Sequence, residues 1–500
     1  MLAYLLLAST LVIAACGLVY ELVAGALASY LIGDTITRFS TVIGVYLFAM
    51  GVGAWLAKYI RRDLLARFVQ LEILVGVFGG FSAMALFAAF AFGMAFSVML
   101  YVMVMLVGIL VGMEIPIMMR ILRKRMEFND LVSRVLSFDY LGALLASLAL
   151  PLWFVPHLGL IRSALVFGII NLGVAALTLW LFRRDLDRSD LRVSTAAGLA
   201  LLVAGLVWAE DFSRYAESQL YPEPVIYSKQ TPYQRIVATS AGRHTNLYLN
   251  SHLQFSSKDE YRYHEALVHP AAASPARIAR HALVLGGGDG MAVRELLRYP
   301  GIERITLVDL DPGVTTLFRD HDRFALLNGF ALRDPRVTIV NQDAWRWLEQ
   351  NRDTFGLVII DFPDPGNFAL GKLYTTTFYR LLKHRLAPDG IVAIQATSPL
   401  FAREAYWCVV TTLESAGLKT VPYHVYVPSF GEWGFIIASR ERYTPPTSLP
   451  AGLRYLTRQT LPGLFVFSED MARVPTEANR LDNQIVVQYY ERAWRASLRE

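Results

Sequence analysis

The chain begins with long apolar segments that are separated by short polar loops. The segment Ile73–Met113 runs for 41 residues without an Asp, Glu, Lys or Arg. One membrane crossing takes about 20 apolar residues, so this segment predicts two helices with a tight turn near Phe92–Met94. Further apolar segments cover residues 3–32, 39–57, 140–161, 163–182 and 193–209. The pattern predicts a transmembrane helical domain over residues 1–210 with about seven spans, of which the last is the shortest.

Charge is distributed unevenly between the two parts of the chain. Residues 1–210 contain 15 Lys/Arg and 12 Asp/Glu, whereas residues 211–500 contain 32 and 30. The whole chain has a mean hydropathy of +0.39 and 18% charged residues, against about 25% in a typical soluble domain. The apolar excess therefore belongs to the first part. These values exclude a disordered chain, a collagen-like chain and a small disulfide scaffold.

Three clusters of basic residues follow the second, fourth and sixth apolar segments: Lys58–Arg67, Arg120–Arg134 and Arg183–Arg192. Positive loops stay on the cytoplasmic side, so the clusters predict a multi-pass protein of the cell (inner) membrane with its N-terminus inside. Since no Lys or Arg precedes the first apolar segment, we expect a retained span rather than a signal peptide. A seventh span would place the second part outside. If residues 193–209 do not cross the membrane, the second part lies inside. The side of the membrane that carries the second part therefore stays open.

Four acidic residues lie in or beside the apolar segments: Glu21, Glu72, Glu114 and Asp139. An ionisable group in a bilayer is costly and usually faces a partner or a cavity. Two interpretations stay open, a path for a substrate or proton and a hydrogen bond inside the helix bundle. We assign none of the four to a site.

The second part has the pattern of an α/β domain. Short strands over residues 225–249 predict a small N-terminal β-subdomain and linker, residues 211–280. From His281 the order is strand, glycine turn Gly286–Gly290, helix and strand, and the second strand ends at Asp309. Glycines allow a sharp turn close to a ligand, and an acid about 20 residues later can bind ribose hydroxyls. A Rossmann-like, methyltransferase-type doubly wound sheet is predicted for residues 281–440, followed by a C-terminal extension, residues 441–500.

Acidic residues follow the glycine turn and three successive predicted strands. In open α/β sheets, ligands bind beyond the carboxyl ends of the strands, so we expect these acids to surround one crevice: Asp289, Asp309, Asp343, Asp361 and Asp364. Any one of them taken alone is better explained as a turn or helix cap. Together they favour a cationic substrate over a polyphosphate. The sequence has no phosphate-binding loop with its lysine, no metal-ligand spacing and no basic run typical of nucleic-acid binding.

Residues 224–440 resemble the polyamine aminopropyltransferases, the spermidine synthases, and the preceding helices make the chain similar to the membrane-embedded subgroup. Several short motifs carry the resemblance: Tyr233-Gln234, Gln254, Tyr263-His264-Glu265, Leu283–Gly290, Val308–Pro312, Gln342-Asp343-Ala344, Asp361 to Asp364-Pro365, Leu373-Tyr374 and Gly431–Phe435. Two loops depart from the family. In the last substrate loop Pro428 stands where a Tyr is usual, and after Asp364-Pro365 the segment Gly366-Asn367-Phe368 replaces a Gly-Pro pair. Both loops face the acceptor in the family, so the resemblance leaves the acceptor amine open.

The resemblance implies transfer of an aminopropyl group from decarboxylated S-adenosylmethionine, as a co-substrate, to putrescine or a similar amine. No permanently bound cofactor and no metal are implied. The nucleoside of the donor would contact one set of residues: Gln234, Gly286, Gly288, Asp309, Asp343 and Ala344. The amines would contact a second set: Gln254, Tyr263, His264, Asp289 and Asp364. Asp361 would accept the proton.

Two other functions stay open. One is a methyltransferase of similar fold that uses ordinary S-adenosylmethionine, and the other is a membrane carrier or sensor that binds polyamine without turnover. An acid at Asp289 would attract the ammonium of the decarboxylated donor and repel a carboxylate, which favours aminopropyl transfer. The expected partners are a polyamine and the lipid bilayer, with no nucleic acid. A homodimer is left open.

Overall fold

The computed structural model describes residues 2–32, 35–123, 126–186, 188–275 and 280–497. It divides into two compact units, Met1–Pro224 and Val225–Glu500. The first unit extends past the boundary predicted at residue 210, because its last helix continues to Ser218. The polar end of that helix carries an Asp211–Arg214 ion pair at helical spacing, which an apolar pattern does not detect.

Long helices make up the first unit. Within the described residues they are α1 (Leu2–Ile32), α2 (Thr35–Leu56), α3 (Leu64–Ala91), α4 (Phe96–Leu122), α5 (Phe128–Ala149), α6 (Val155–Leu181) and α7 (Ser189–Ser218). A short 3₁₀ turn, Ala57–Tyr59, follows α2, and a π-helical turn, Leu150–Phe154, joins α5 to α6. The predicted turn near Phe92–Met94 lies between α3 and α4. Residues 124–125 and 187, in two of the basic loops, lie outside the described residues.

Six segments among the described residues are long and apolar enough to cross a membrane. One of them, Phe128–Leu181, has 54 residues, or about 81 Å at 1.5 Å per residue, against a hydrocarbon core of about 30 Å. Gly159, with φ 73° and ψ 176°, interrupts it near its middle. The last segment spans 28 residues, Ser189–Ala216, and so exceeds the 17 apolar residues that mark it in the sequence.

The second unit begins with an antiparallel sheet in chain order: β1 (Val225–Gln230), β2 (Arg235–Ala241), β3 (His244–Leu249) and β4 (His252–Ser256). The first three strands match the prediction and β4 was missed. The turn between β3 and β4, Asn250-Ser251, has φ values of 50° and 66°. Such positive values suit a tight hairpin turn, but without a glycine the pair gives a weak sequence signal.

A seven-stranded sheet forms the centre of the second unit, in the order β10-β11-β9-β8-β5-β6-β7. Strands β5 to β9 are parallel to one another, and β10 and β11 are antiparallel at one edge. The strands are β5 (His281–Gly286), β6 (Arg304–Asp309), β7 (Val337–Asn341), β8 (Phe355–Asp361), β9 (Leu386–Gln395), β10 (Lys419–Val427) and β11 (Gly431–Ser439). This order confirms the predicted Rossmann-like, doubly wound fold.

Both faces of the seven-stranded sheet are covered. On β5, Ala282 and Val284 face one apolar core, and Leu283 and Leu285 face the other. Burial on both faces explains why the strand is a continuous apolar run in the sequence. The helices of this unit are α8 (Glu260–Ala272), α9 (Met291–Leu296), α10 (Pro312–Asp320), α11 (Asp322–Ala325), α12 (Ala344–Gln350), α13 (Phe368–Gly371), α14 (Thr376–Arg385), α15 (Arg403–Ser415) and α16 (Ile485–Ser497).

The C-terminal extension is part of the same cores. Leu456 and Leu461 are buried in one core, and Val486 and Val487 in the other. The carboxylate of Glu265, on α8, accepts three successive backbone N–H groups of the extension at 2.7 to 2.9 Å. The last described helix of the extension is α16, which begins at Ile485 and ends at Ser497.

Candidate active site

The carboxyl ends of the parallel strands bring the predicted residues together. The chain passes from β5 through β6 to β7 and then returns to the other side of β5 to form β8. A crevice opens where the strand order reverses, and ligands of open α/β sheets bind there. Gly286 lies beside Asp361 across this point, and Asp309 lies beside Asn341 one pair further along.

The glycine turn after β5 allows close approach of main chain to the neighbouring acids. Gly286 has φ 79° and Gly290 has φ 77°, a conformation that glycine adopts without steric cost. A Cβ on Gly286 would lie 2.2 Å from the Asp361 carbonyl oxygen, and one on Gly288 would lie 2.7 Å from Asp309 Oδ2. Two different constraints, conformation and space, therefore require glycine in this turn.

Asp309 is fixed at the end of β6 by main-chain donors. Its Oδ2 accepts the Gly288 N–H at 3.0 Å and its Oδ1 accepts the Asp311 N–H at 2.9 Å. Burial raises the pKa of Asp309 to about 6, although these two hydrogen bonds oppose the shift. Gln234 binds the next acid along the chain, since its Nε2 donates to Asp311 Oδ2 at 2.9 Å. Thr231 Oγ1 donates to the same oxygen at 2.8 Å.

Asp361 ends β8 and has a phenol as its direct partner. Tyr263, on α8, donates its hydroxyl hydrogen to Asp361 Oδ1 at 2.6 Å. The Tyr263 ring packs on Phe435, with ring centroids 5.1 Å apart. Burial raises the pKa of Asp361 to about 6, and the charge of Asp289 adds to the shift, while His264 and the Tyr263 hydrogen bond oppose it.

His264 supplies positive charge to this acidic group. Its Nδ1 lies 2.9 Å from Glu260 Oε2, and both Glu260 oxygens accept hydrogen bonds from Arg294 at 2.9 and 3.0 Å. Burial lowers the pKa of His264, but the hydrogen bond and charge of Glu260, with the charges of Asp289 and Asp361, raise it to about 9. The imidazole is therefore a cation at neutral pH.

Asp289 lies within reach of the His264 charge, after the glycine turn. Its Oδ1 accepts the Met291 N–H at 2.9 Å. Burial raises the pKa of Asp289, and the charge of His264 opposes the shift. Asn328 Nδ2 donates to the Asp289 carbonyl oxygen at 2.8 Å, which fixes the backbone that carries this acid.

Asp364 is enclosed by residues from three segments. Thr397 Oγ1 donates to Oδ2 at 3.0 Å, Gln395 Nε2 lies 3.4 Å from Oδ1, and Tyr490 of α16 forms a side-chain hydrogen bond to the same carboxyl. Burial raises the pKa of Asp364 against these three hydrogen bonds. Thr397 has φ 56°, which is rare for a β-branched residue and costs on the order of 1 to 3 kcal/mol. This strained conformation presents its hydroxyl to the carboxyl.

The remaining predicted residues have structural partners. Asp343 caps α12 by accepting the Arg346 N–H at 3.0 Å, and its Oδ2 lies 2.8 Å from Lys372 Nζ. Burial raises the pKa of Asp343, but Lys372 and the cap lower it overall. Ala344 is buried as the first residue of α12. Gln254, on β4, donates to the His252 carbonyl oxygen at 3.2 Å, a contact outside the acidic group.

Sequence reasoning gave no site role to several residues that hold the site: Glu260, Asp311, Lys372, Thr397 and Tyr490. Glu260 gave a weak signal, since it lies four residues before His264 and so on the same helix face. Asp311 lies two residues after Asp309 and was not considered separately. The other three reach the site from distant parts of the chain, so spacing in the sequence could not reveal them.

The arrangement combines four half-buried carboxyl groups, a histidine cation and a glycine turn at one edge of a sheet. Among the described residues, no group of three or more His, Cys, Asp or Glu side chains could hold a metal ion. An acidic, enclosed crevice at the reversal of strand order suits a ligand that carries both a nucleoside and amines. These features define a Rossmann-like enzyme of the nucleoside-binding, transferase type.

Comparison with known proteins agrees with this class. A family model described as the spermine/spermidine synthase domain matches residues 260–448. A polyamine aminopropyltransferase of Leptospira interrogans is 50% identical over 97% of this chain and 98% of its own length. Polyamine aminopropyltransferase 2 of Ralstonia nicotianae is 52% identical over 99% of both chains. The chain belongs to the polyamine aminopropyltransferase family, as predicted. A solved spermidine synthase in complex with the transition-state analogue AdoDATO is 25% identical, with a TM-score of 0.45 over 49% of this chain and 85% of that one.

Proposed function

We propose that this protein transfers the aminopropyl group of decarboxylated S-adenosylmethionine to putrescine or a similar amine, with release of methylthioadenosine. The observation that carries the proposal is the set of half-buried carboxyls at the switch point, Asp289, Asp309, Asp361 and Asp364. Three of them, Asp289, Asp361 and Asp364, act electrostatically on His264 or Tyr263. Family membership supports it. Buried acids without bound cations are costly, and a polycationic amine would relieve that cost on binding.

The chemistry requires a neutral amine nitrogen. An ammonium has no lone pair, so a carboxylate must hold the acceptor amine and take its proton before attack. In this proposal Asp361 takes the proton, since Tyr263 orients one oxygen and leaves the other toward the crevice. The nitrogen then attacks the carbon attached to the sulfonium, and the C–S electron pair leaves with the sulfur. Since the sulfonium is already a good leaving group, positioning supplies much of the acceleration.

The donor is held at the glycine side of the crevice. Asp309 would bind the ribose hydroxyls, the main chain at Gly286 and Gly288 would pack against the nucleoside, and the Asp343-Ala344 segment would border the adenine. Gln234 supports this pocket through Asp311 in addition to any direct contact. Asp289 would hold the ammonium of the aminopropyl arm and repel the carboxylate of ordinary S-adenosylmethionine.

The acceptor is held on the opposite side. Asp364 would bind the distal ammonium of the acceptor, enclosed by Thr397 and by Tyr490. A Cβ on Gly366 would lie 3.4 Å from the Tyr490 ring, so the loop that departs from the family pattern packs against α16. The length of the acceptor would therefore be set in part by the C-terminal extension. Gln254 would contribute to amine binding only if β4 approaches the crevice on ligand binding.

We also propose that the first unit is embedded in the cell membrane. Its six long apolar segments support this, and seven crossings follow if Phe128–Leu181 crosses twice at Gly159. Both free cysteines, Cys16 and Cys408, are buried, so a Gln219→Cys variant gives one accessible thiol after α7. Labelling of intact and opened spheroplasts with an impermeant maleimide reports the side on which the second unit lies.

The catalytic proposal is tested on the full-length protein in detergent by measuring methylthioadenosine release with each donor and a series of diamines and polyamines. We expect turnover with decarboxylated S-adenosylmethionine and loss of turnover in Asp361→Asn. Matched control Asp320→Asn removes an exposed carboxylate paired with Arg319 and should keep full activity. Methyl transfer from ordinary S-adenosylmethionine would instead assign a methyltransferase. Saturable amine binding without release from either donor would assign a binding protein.

A further inference from the structure

The centre of the helical unit contains a polar group that aminopropyl transfer does not use. Glu72 on α3 and Glu114 on α4 are 0% and 2% exposed, and Asn171 on α6 and Tyr20 on α1 are 0% and 2% exposed. Asn171 Nδ2 donates to Glu72 Oε2 at 2.9 Å and to the Glu72 carbonyl oxygen at 2.9 Å. The two glutamates interact electrostatically with each other and with Tyr20. Side chains from four helices therefore meet at one buried point.

Each of these four side chains retains a polar atom without a hydrogen-bond partner in the described part of the chain: Glu72 Oε1, Glu114 Oε1, Asn171 Oδ1 and Tyr20 Oη. The first three can only accept when the glutamates are ionised. Buried polar atoms in native proteins are almost always satisfied. The oxygens of Glu72, Glu114 and Asn171 thus lack a donor or a positive charge, and the Tyr20 hydroxyl can donate to at most one acceptor.

The surroundings supply no compensating cation. The titratable groups that act on the two glutamates or share their site are Cys16 and Tyr20 on α1, Glu21 on α1, Tyr46 on α2, and Asp139 on α5. None of these groups can carry a positive charge. Within the described residues, no Lys, Arg or His is among the groups that act on either carboxyl. Two ionised carboxylates in this position would repel each other without water to screen them, which is prohibitively costly.

The helices pack too closely for a large ligand. A Cβ on Gly76 would lie 2.2 Å from Leu172 Cδ1, and one on Gly79 would lie 2.5 Å from the Tyr20 ring. Small residues at these positions let the helix backbones approach one another. An occupant that neutralises the glutamates must therefore be of atomic size, which excludes a polyamine.

We propose that Glu72 and Glu114 form a binding site for one small monovalent cation, a proton or an alkali metal ion, between α1, α3, α4 and α6. In the proton form, a carboxylate takes up H⁺ and becomes a carboxylic acid, whose O–H donates to one of the oxygens that otherwise lacks a partner. In the alkali form, the unpartnered oxygens are its ligands. The site is independent of the proposed transfer reaction, which proceeds in the other unit.

Infrared spectroscopy of the full-length protein distinguishes the two occupants. In a mildly alkaline choline buffer free of sodium and potassium, one of the two difference spectra, wild type minus Glu72→Gln or wild type minus Glu114→Gln, should contain the carbonyl band of a protonated carboxylic acid. Since the pair holds one proton, the other glutamate remains a carboxylate. Glu210→Gln is the matched control, since Glu210 is exposed and paired with Arg162, and it should remove carboxylate bands only. Gln has the shape of protonated Glu, so all three variants should retain methylthioadenosine release.

Sodium chloride is then added to the wild type. A protonated-acid band that persists assigns the site to a proton, and a saturable replacement of that band by carboxylate bands assigns it to an alkali cation. Carboxylate bands alone for both glutamates in sodium-free buffer would overturn the proposal.

A second measurement needs no variant. A hydrophobic carbodiimide modifies protonated carboxyls in apolar surroundings, so peptide mass spectrometry of the wild type should locate the adduct at Glu72 or Glu114, with protection by sodium only in the alkali case. Absence of the adduct together with ionised glutamates in the infrared spectrum would show that no cation binds.

Discussion

The hydrogen bond from Tyr263 to Asp361 predicts a specific change in the pH dependence of catalysis. The phenol donates to Asp361 Oδ1 at 2.6 Å. Burial raises the pKa of Asp361 to about 6, and this hydrogen bond opposes the rise. Tyr263→Phe removes the donor and keeps the ring that packs on Phe435. The variant should therefore raise the pKa of Asp361 and leave the shape of the crevice unchanged.

The size of the change follows from the strength of the lost bond. A hydrogen bond to a charged group contributes about 1.5 to 3 kcal/mol, and one pKa unit corresponds to about 1.4 kcal/mol. We expect the pKa of Asp361 to rise from about 6 by roughly one to two units. Because only the carboxylate can accept a proton, kcat/KM at about pH 7 should fall roughly two- to tenfold. At about pH 8.5, where most of the carboxyl is ionised again, the loss should be less than about twofold.

The assay is methylthioadenosine release by the full-length enzyme between about pH 5 and pH 8.5, since kcat/KM reports the groups of the free enzyme. At the upper limit about three quarters of His264, with its pKa of about 9, is still cationic, and its partial loss of charge is common to both enzymes. Ionisation of the acceptor amine is the same for both enzymes and cancels in their ratio. Tyr261→Phe is the control on the same helix, where the Tyr261 ring lies under Arg454. A loss in Tyr263→Phe that is equal at every pH would refute the reasoning.

Three further variants test other parts of the crevice. Asp289→Asn should reduce the preference for the decarboxylated donor over S-adenosylmethionine by at least about tenfold, since like-charge repulsion contributes several kcal/mol; unchanged donor ratios in competition assays would contradict this role. Tyr490→Phe should raise KM for the acceptor roughly three- to tenfold with KM for the donor unchanged, whereas Tyr489→Phe on the same helix should change neither constant. Gly288→Ala should abolish donor binding by equilibrium dialysis, because the new methyl would lie 2.7 Å from Asp309 Oδ2, and normal affinity would show that the acid can move.

Sequence patterns predicted the elements whose structure depends mainly on residues close to one another in the chain. Strand β5, the glycine turn and Asp309 form one continuous stretch in which apolar run, tight turn and terminal acid succeed one another. The sequence therefore predicted both the sheet and its ligand-binding edge. Family resemblance then identified the acids at the ends of other strands.

Long-range partners could not be predicted in this way. Tyr490 lies 126 residues after Asp364 in the sequence, and nothing near either residue indicates that they meet. Likewise, the side chain of Asp343 looked like a ligand contact, but its α12 cap and its pairing with Lys372 emerge only in the folded chain. The end of the helical unit was placed too early because α7 continues as a polar helix beyond its apolar part.

Tyr263, His264 and Glu265 are consecutive in the sequence, yet their side chains contact different parts of the second unit. Tyr263 and His264 face the acids, while the buried Glu265 binds the N–H groups of Arg454, Tyr455 and Leu456. The matched family segment ends at residue 448, before these three donors. A fragment that ends at residue 448 would lack these three donors. The carboxylate of Glu265 would then have lost its hydrogen bonds on α8, the helix that also carries Tyr263 and His264. Truncation there should therefore abolish activity in two ways, by leaving Glu265 on α8 without its partners and by removing Tyr490 from the proposed acceptor side of the crevice.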